Sequence, residues 1–229
     1  MCGIFGATEL ERFITLYELN KQRGTFSTSM GIITDAGDIV VHRWNGSIDS
    51  KEASAELINS LKISNRKPRY YLGHTQAPTS SKRKYSKETS HPFHIDSWVI
   101  AHNGVLTNFN EIKQEFAPKW KNPVDSSIIP VILNETYKAF GNSADQSEII
   151  AKTLGFLEGT FGLWIFESGE RHLYLARCGS TLFADVINNE FSSIKFKNSE
   201  SLEEGTLYLV TPEGITGVAM FDFNSPFFT

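Results

Sequence analysis

Strand-forming runs gather at both ends of this chain, with two helical stretches between them, and that order argues for sheets layered against helices in an α+β fold. The chain opens on Cys2-Gly3-Ile4-Phe5-Gly6-Ala7, short, apolar and strand-like. Leu10, Phe13, Ile14 and Tyr17, with Leu16 beside them, then share one helical face, and Gly24 ends that stretch. Residues 30–34 and 39–44 read as two strands of a hairpin joined at Asp35-Ala36-Gly37-Asp38. Residues 50–62 read as an amphipathic helix with Ser50 as its cap, 69–75 as a strand, and 98–102 as a buried strand. Helices are expected over about 126–140 and 144–156, the first with Pro130 in its opening turn, where proline is tolerated. The remainder turns to strands at 161–166, 173–177, 183–186, 193–196, 207–211 and 215–218. Turn residues such as Ser168-Gly169 and Pro212-Glu213-Gly214 punctuate them. With no repeat, low-complexity tract or linker, the expectation is a single domain over residues 2–229. Its core covers about 2–218, and an apolar tail follows at 219–229.

Composition excludes several classes of function. The 40% hydrophobic and 12% aromatic content suits a buried core rather than disorder, and the formal net charge of −4 gives no electrostatic reason to expect nucleic acid or a membrane surface. No apolar run approaches the roughly 20 residues of a membrane span. No basic segment precedes an apolar one at the N-terminus, so a secretory signal is not expected. Cys2 and Cys178 are the two cysteines, too few for a disulfide framework and consistent with a reducing cytoplasm. No His/Cys cluster has metal-ligand spacing, and no metal or cofactor is expected.

Two places carry chemistry. Methionine before a small residue is usually removed, which would leave Cys2 with a free α-amino group. A thiol becomes a strong nucleophile only as the thiolate, and an α-amino group of ordinary pKa about 7.7–8.0 is a suitable base beside it. One residue would then supply nucleophile and base, with Gly3 leaving room for substrate; the plain alternative is a small buried residue at the chain start. The second place is His102-Asn103-Gly104. Asn-Gly after a strand is commonly a tight turn. It also suits an oxyanion hole, with the Asn103 amide and the Gly104 N–H aimed at the oxygen of a tetrahedral intermediate, where one such donor is worth roughly 3 kcal/mol.

These motifs, taken in order, resemble class II glutamine amidotransferase domains. Cys2-Gly3-Ile4-Phe5-Gly6 is similar to the family's opening, Arg23-Gly24 to its Arg-Gly element, and Gly73-His74-Thr75 to its Gly-His-Thr-Arg strand. His91-Pro92, His102-Asn103-Gly104, Asn108 and Asp125 follow in the family's order. Glu158-Gly159-Thr160-Phe161-Gly162, Arg177-Cys178-Gly179-Ser180 and Leu202-Glu203-Glu204-Gly205 resemble its later landmarks, so the likeness runs from Cys2 to about Val218.

The resemblance implies a four-layer αββα N-terminal-nucleophile hydrolase sandwich and a glutaminase reaction through a Cys2 thioester. It implies Asn103 and Gly104 as the oxyanion hole, Asp125 as the holder of glutamine's α-ammonium, and Arg23 as a brace near the N-terminus. Locally, Asp125 reads equally as a helix cap. His74 reads as structural, His91 as shaping its loop, and Cys178 as a small buried residue. One departure stands out: after His74-Thr75 the family carries an arginine for the α-carboxylate, and this chain has Gln76. An amide cannot make arginine's charge-assisted fork. Either Gln76 with the backbone around Thr79 binds the carboxylate more weakly, or a cation of Ser81-Lys82-Arg83-Lys84 substitutes, or the substrate is not free glutamine. Residues 80–90 align with the family's mobile lid, or form a solvated loop. The implied partners are glutamine and a separate ammonia-accepting enzyme, for which the tail with Phe221, Phe223, Phe227 and Phe228 is a candidate contact; the tail reads equally as tucked into its own core. The competing readings are an amidohydrolase for another amide and a binding module without catalysis.

Overall fold

Apolar side chains recur on both faces of several strands, and a strand buried on both faces must sit inside a stack of layers. The computed structural model describes residues 1–77, 84–141 and 144–223. Its first half holds β1 (Gly3–Ala7), α1 (Leu10–Asn20), β2 (Ser27–Thr34), β3 (Ile39–Asn45), α2 (Ser50–Ser64), β4 (Pro68–Gln76), β5 (Phe93–Ile95), β6 (Trp98–Leu106) and α3 (Phe109–Phe116). Then follow α4 (Ile129–Phe140), α5 (Gln146–Leu154), β7 (Gly159–Glu167), β8 (His172–Cys178), β9 (Phe183–Asp185), β10 (Glu190–Ser192), β11 (Glu200–Ser201), β12 (Thr206–Thr211) and β13 (Gly214–Met220). Short 3₁₀ turns at Lys21–Arg23 and Asp125–Ile128 follow α1 and precede α4.

The strands pair into two antiparallel sheets, one in the order β11-β9-β10-β1-β4-β2-β3 and the other β13-β12-β8-β7-β6-β5. Three apolar clusters fill three interlayer spaces. Phe13, Leu16 and Tyr17 of α1 and Leu57 of α2 pack on Phe5, Met30 and Tyr71 of the first sheet. Ile4 and Leu72 of that sheet meet Val99, Ala101, Trp164 and Phe166 of the second. The far face of the second sheet, with Phe161, Leu163 and Ile165, packs on Ile132 of α4 and Ile150 of α5. Consecutive β7 residues thus serve alternate cores, as a period of two requires. The result is a four-layer αββα sandwich, the architecture that the resemblance implied.

Trp164 ties the layers together. It is buried between the sheets, and its indole Nε1–H donates to the Gly73 carbonyl oxygen of β4 at 3.3 Å. Trp164→Ala is expected to cost about 3–5 kcal/mol of unfolding free energy, read by urea denaturation. A loss below about 1 kcal/mol would contradict an inter-sheet core built on this residue.

The β2–β3 hairpin forms where the turn residues place it, with Gly37 at φ 88° and its N–H on the Thr34 carbonyl at 3.0 Å. Pro130 falls in the first turn of α4 as expected. Other expectations are corrected. Asp49, not Ser50, caps α2, its carboxylate accepting from the N–H groups of Lys51 and Glu52. The strand expected at 193–196 lies earlier, at β10. Beyond it the Ser192 hydroxyl oxygen accepts from Ile194 N–H and that of Ser199 from Phe196 N–H. Serine oxygens that take up backbone donors in this way end a ladder. His102-Asn103-Gly104 is not a tight turn: β6 runs through it to Leu106, with Asn103 opposite Gly162 and Gly104 opposite Phe161. The helix α3 has no counterpart in the sequence reading, although Phe109, Ile112 and Phe116 stand at helical spacing. Among the described residues no helix is long and apolar enough to cross a membrane.

Candidate active site

Cys2 stands just before β1, where Gly3 pairs with Thr75 of β4. A Cβ on Gly3 would lie 2.7 Å from both Asn20 Oδ1 and Thr75 Oγ1, so glycine is what lets α1 and β4 close on the strand's first residue. The Cys2 side chain is half-buried, its Sγ 3.9 Å from the carbonyl oxygen of Ala77. Arg23 follows α1 on a 3₁₀ turn and reaches back to the same point. Its Nε–H donates to the Cys2 carbonyl oxygen at 2.6 Å, and its Nη1 donates to Ser193 O at 3.2 Å. Burial pulls the Arg23 guanidinium below its ordinary pKa, and the negative charge of a Cys2 thiolate opposes that shift. Gly24 completes the Arg-Gly element. A Cβ there would meet the Gln76 carbonyl carbon at 2.3 Å, so the chain passes flat against the end of β4 beside Cys2.

Asn103 and Gly104 come from the other sheet. Asn103 is buried, and its Nδ2–H donates to Ser193 Oγ at 3.3 Å. A Cβ on Gly104 would sit 1.9 Å from Thr160 O and 2.7 Å from His102 Nε2. Close approach of the neighbouring strand is therefore the reason for glycine here. His102 is fully buried, and that burial holds its pKa below the ordinary value. In the neutral form Nε2–H donates to Thr160 O at 3.1 Å and Nδ1 accepts from the Ser126 hydroxyl at 2.7 Å.

Asp125 opens the 3₁₀ turn that leads into α4, and its side chain bonds both to that turn and across to β6. One oxygen accepts from Ser126 N–H at 2.8 Å and the other from Leu106 N–H at 2.9 Å. The carboxylate is thereby anchored to the strand that carries Asn103 and Gly104.

Ser193 is the residue that sequence reasoning missed. Its hydroxyl oxygen accepts from Ile4 N–H at 3.0 Å and from Asn103 Nδ2, and its own N–H donates to Ile4 O at 2.9 Å. Its carbonyl accepts from Arg23 and, at 2.8 Å, from the Thr181 hydroxyl. Through it Arg23, which holds the Cys2 carbonyl, and Ile4 of the first sheet are joined to Asn103 of the second. A serine in the run Phe191-Ser192-Ser193-Ile194 carries no sequence signal of this.

Gln76 is buried at the end of β4, its side-chain amide oxygen Oε1 accepting from the Ser27 hydroxyl at 2.7 Å. Thr79, residues 80–83 of the lid segment and the end of the tail with Phe227 and Phe228 lie outside the described residues. His74 is buried in β4 with Nε2 3.2 Å from His102 O, and the His91 ring stacks on it at 3.8 Å between centroids. Cys178 is buried. Phe221 of the tail joins the core under the second sheet, its ring 5.8 Å from that of Phe161. Among the described residues no group of three His, Cys, Asp or Glu could hold a metal ion.

No protein-family model matches the chain. Over 98% of its length it is 28% identical to a glutamine–fructose-6-phosphate aminotransferase (isomerizing) from Francisella tularensis, of which it covers 37%. The chain spans about a third of the length of the curated relatives it matches. Among solved structures, the glutamine phosphoribosylpyrophosphate amidotransferase of B. subtilis superposes with a TM-score of 0.69 at 18% identity, covering 98% of this chain and 50% of that one. A glutamine aminotransferase class-II domain protein from Silicibacter pomeroyi gives a TM-score of 0.57 at 12% identity, covering 97% of this chain and 100% of that one. The resemblance carried by the motifs thus extends to whole-chain similarity and to the fold.

Proposed function

We propose that this chain hydrolyses the side-chain amide of glutamine and passes the ammonia to an acceptor active site elsewhere. The observation that carries the reading is the gathering of Cys2, Arg23 and Asn103 around Ser193, at the place where the two sheets meet. Similarity to a glutamine-dependent aminotransferase over 98% of the chain supports it.

After removal of Met1, the α-amino group takes the Cys2 thiol proton and Sγ attacks the amide carbon. The new C–S bond leaves a tetrahedral oxyanion, received by the second N–H of the Asn103 amide and by the Gly104 N–H. The C–N bond then breaks, the α-ammonium returns the proton to the leaving nitrogen, and ammonia departs from a γ-glutamyl thioester. Water, deprotonated by the same amine, resolves the thioester to glutamate. Thiol and amine supply the nucleophile and the base between them, so the reaction needs no cofactor. Asp125 takes the substrate's α-ammonium. The α-carboxylate lies toward the end of β4, at Gln76 and on to Thr79. Ammonia released to water becomes non-nucleophilic ammonium, so the acceptor must bind close by. The acceptor favoured here is on a separate subunit.

Gln76 in place of arginine favours a second reading, an amidohydrolase for another amide. The test of both is intact mass and product analysis. The expected result is loss of Met1, a single adduct from a glutamine-analogue electrophile, and glutamate released from glutamine in preference to other γ-glutamyl and acyl amides. A processed chain that hydrolyses one of those other amides instead selects the second reading, and a retained methionine removes both.

A further inference from the structure

We infer that Ser193 is a positioning residue that sets the Asn103 amide, and with it the spacing between nucleophile and oxyanion donor. The inference rests on the reading of Asn103 as such a donor.

A serine oxygen has two lone pairs. At Ser193 one takes the Ile4 N–H from β1 and the other an Asn103 N–H from β6. Both partners and Ser193 itself are buried, so no solvent competes for these bonds. An Asn amide has two N–H groups. Committing one to Ser193 fixes the rotation about Cβ–Cγ and leaves the other as the single N–H free to meet an oxyanion. A hydroxyl at this point therefore decides which edge of the amide faces the substrate. Without it the amide is free to turn its carbonyl oxygen toward the developing negative charge.

The same residue fixes the distance across the site. Its N–H and Oγ grip Ile4, two residues after the nucleophile, and its carbonyl holds the Arg23 guanidinium that holds the Cys2 carbonyl. The grip on Asn103 belongs to the opposite sheet. One side chain, on the loop after β10, thus bridges the strand that presents the thiol and the strand that presents the amide.

The experiment is a double-mutant cycle on the Met1-processed protein, reading kcat and KM for glutamine in wild type, Ser193→Ala, Asn103→Ala and the double variant. Ser193→Ala is expected to lower kcat on the order of 10-fold with KM held, a part of the roughly 10²–10³-fold that losing a whole oxyanion donor costs. Added to Asn103→Ala, it is expected to cost much less than in the wild-type background, because the Ser193 backbone N–H still holds Ile4 when the Oγ is lost. Ser193→Thr, which keeps the oxygen and both lone pairs, is expected to stay within about 3-fold of wild type, a change smaller than the loss of one good hydrogen bond.

An equal loss from Ser193→Ala in both backgrounds would show a general structural role and overturn the assignment, as would no loss in the wild-type background. If Ser193→Ala fails to fold, a Ser193→Thr variant that folds but loses as much kcat as Asn103→Ala overturns it too. An inactive wild type, or an Asn103→Ala variant at full rate, removes the donor reading itself and the assignment with it, so the two failures are distinct.

Discussion

Cys2→Ala is expected to reduce glutamine hydrolysis to the background rate, a loss on the order of 10⁴-fold or more, as when a nucleophile is deleted from a concerted catalytic unit. The fold has little reason to change. Arg23 holds the Cys2 backbone carbonyl rather than its sulfur, and Sγ lies 3.9 Å from Ala77 O, a long contact. Thermal unfolding is therefore expected to move by no more than about the few tenths of a kcal/mol typical of surface substitutions. Cys178 cannot stand in, because it is buried and burial pushes its thiol up to about 11, leaving it protonated at neutral pH. A variant in which Met1 cannot be removed is expected to fail equally, since an amide nitrogen is no base. Glutamate release by both proteins, with intact mass to report the processing, settles the matter. A Cys2→Ala variant with more than a hundredth of the wild-type rate would place the nucleophile elsewhere.

The layered architecture was legible because its causes are local. Gly37 makes the β2–β3 turn, proline opens α4, and period-two burial along β7 follows directly from Phe161 to Phe166. The residues assigned to the candidate site stood out for a different reason. Cys2, Arg23, Asn103 and Asp125 each sit in a short motif whose order along the chain resembles a known family.

The sequence reading failed where a long-range contact overrides local preference. Asn103-Gly104 has the composition of a turn, yet Thr160 O lies 1.9 Å from where a Gly104 Cβ would be, and glycine serves strand packing there. Asp125 has the composition of a cap and does take a backbone N–H of the turn it opens, but local sequence carries no sign that its other oxygen crosses to Leu106. Asp49 caps α2 one residue before the serine that composition favoured, because its carboxylate reaches two backbone donors. Ser193 was illegible altogether: its partners Ile4, Arg23 and Asn103 are 189, 170 and 90 residues away. No local pattern reports a bond of that separation. For Gln76 the difficulty is of another kind. Its chemistry was read correctly as uncharged, and its oxygen is committed to Ser27, but its bearing on the substrate carboxylate depends on Thr79 and its neighbours.

Asn103→Ala is expected to lower kcat by roughly 10²–10³-fold, equivalent to about 2.7–4 kcal/mol of transition-state stabilisation, while KM for glutamine changes little. The separation follows from what the amide touches. In the ground state the substrate carbonyl is neutral and gains little from a second donor. In the tetrahedral intermediate the oxygen carries a full charge in a buried setting, where a fixed N–H is worth far more than in water. Asn103→Asp sharpens the point, because it keeps shape and volume but replaces the donor by a carboxylate that repels the oxyanion. Its kcat is expected to fall below that of Asn103→Ala, an order that a role in packing alone would reverse. Steady-state kinetics on the two variants checks this. Loss confined to KM would move Asn103 from the oxyanion to ground-state binding. Gly104 would then be the remaining donor, held beside Thr160 by the contact that excludes a side chain.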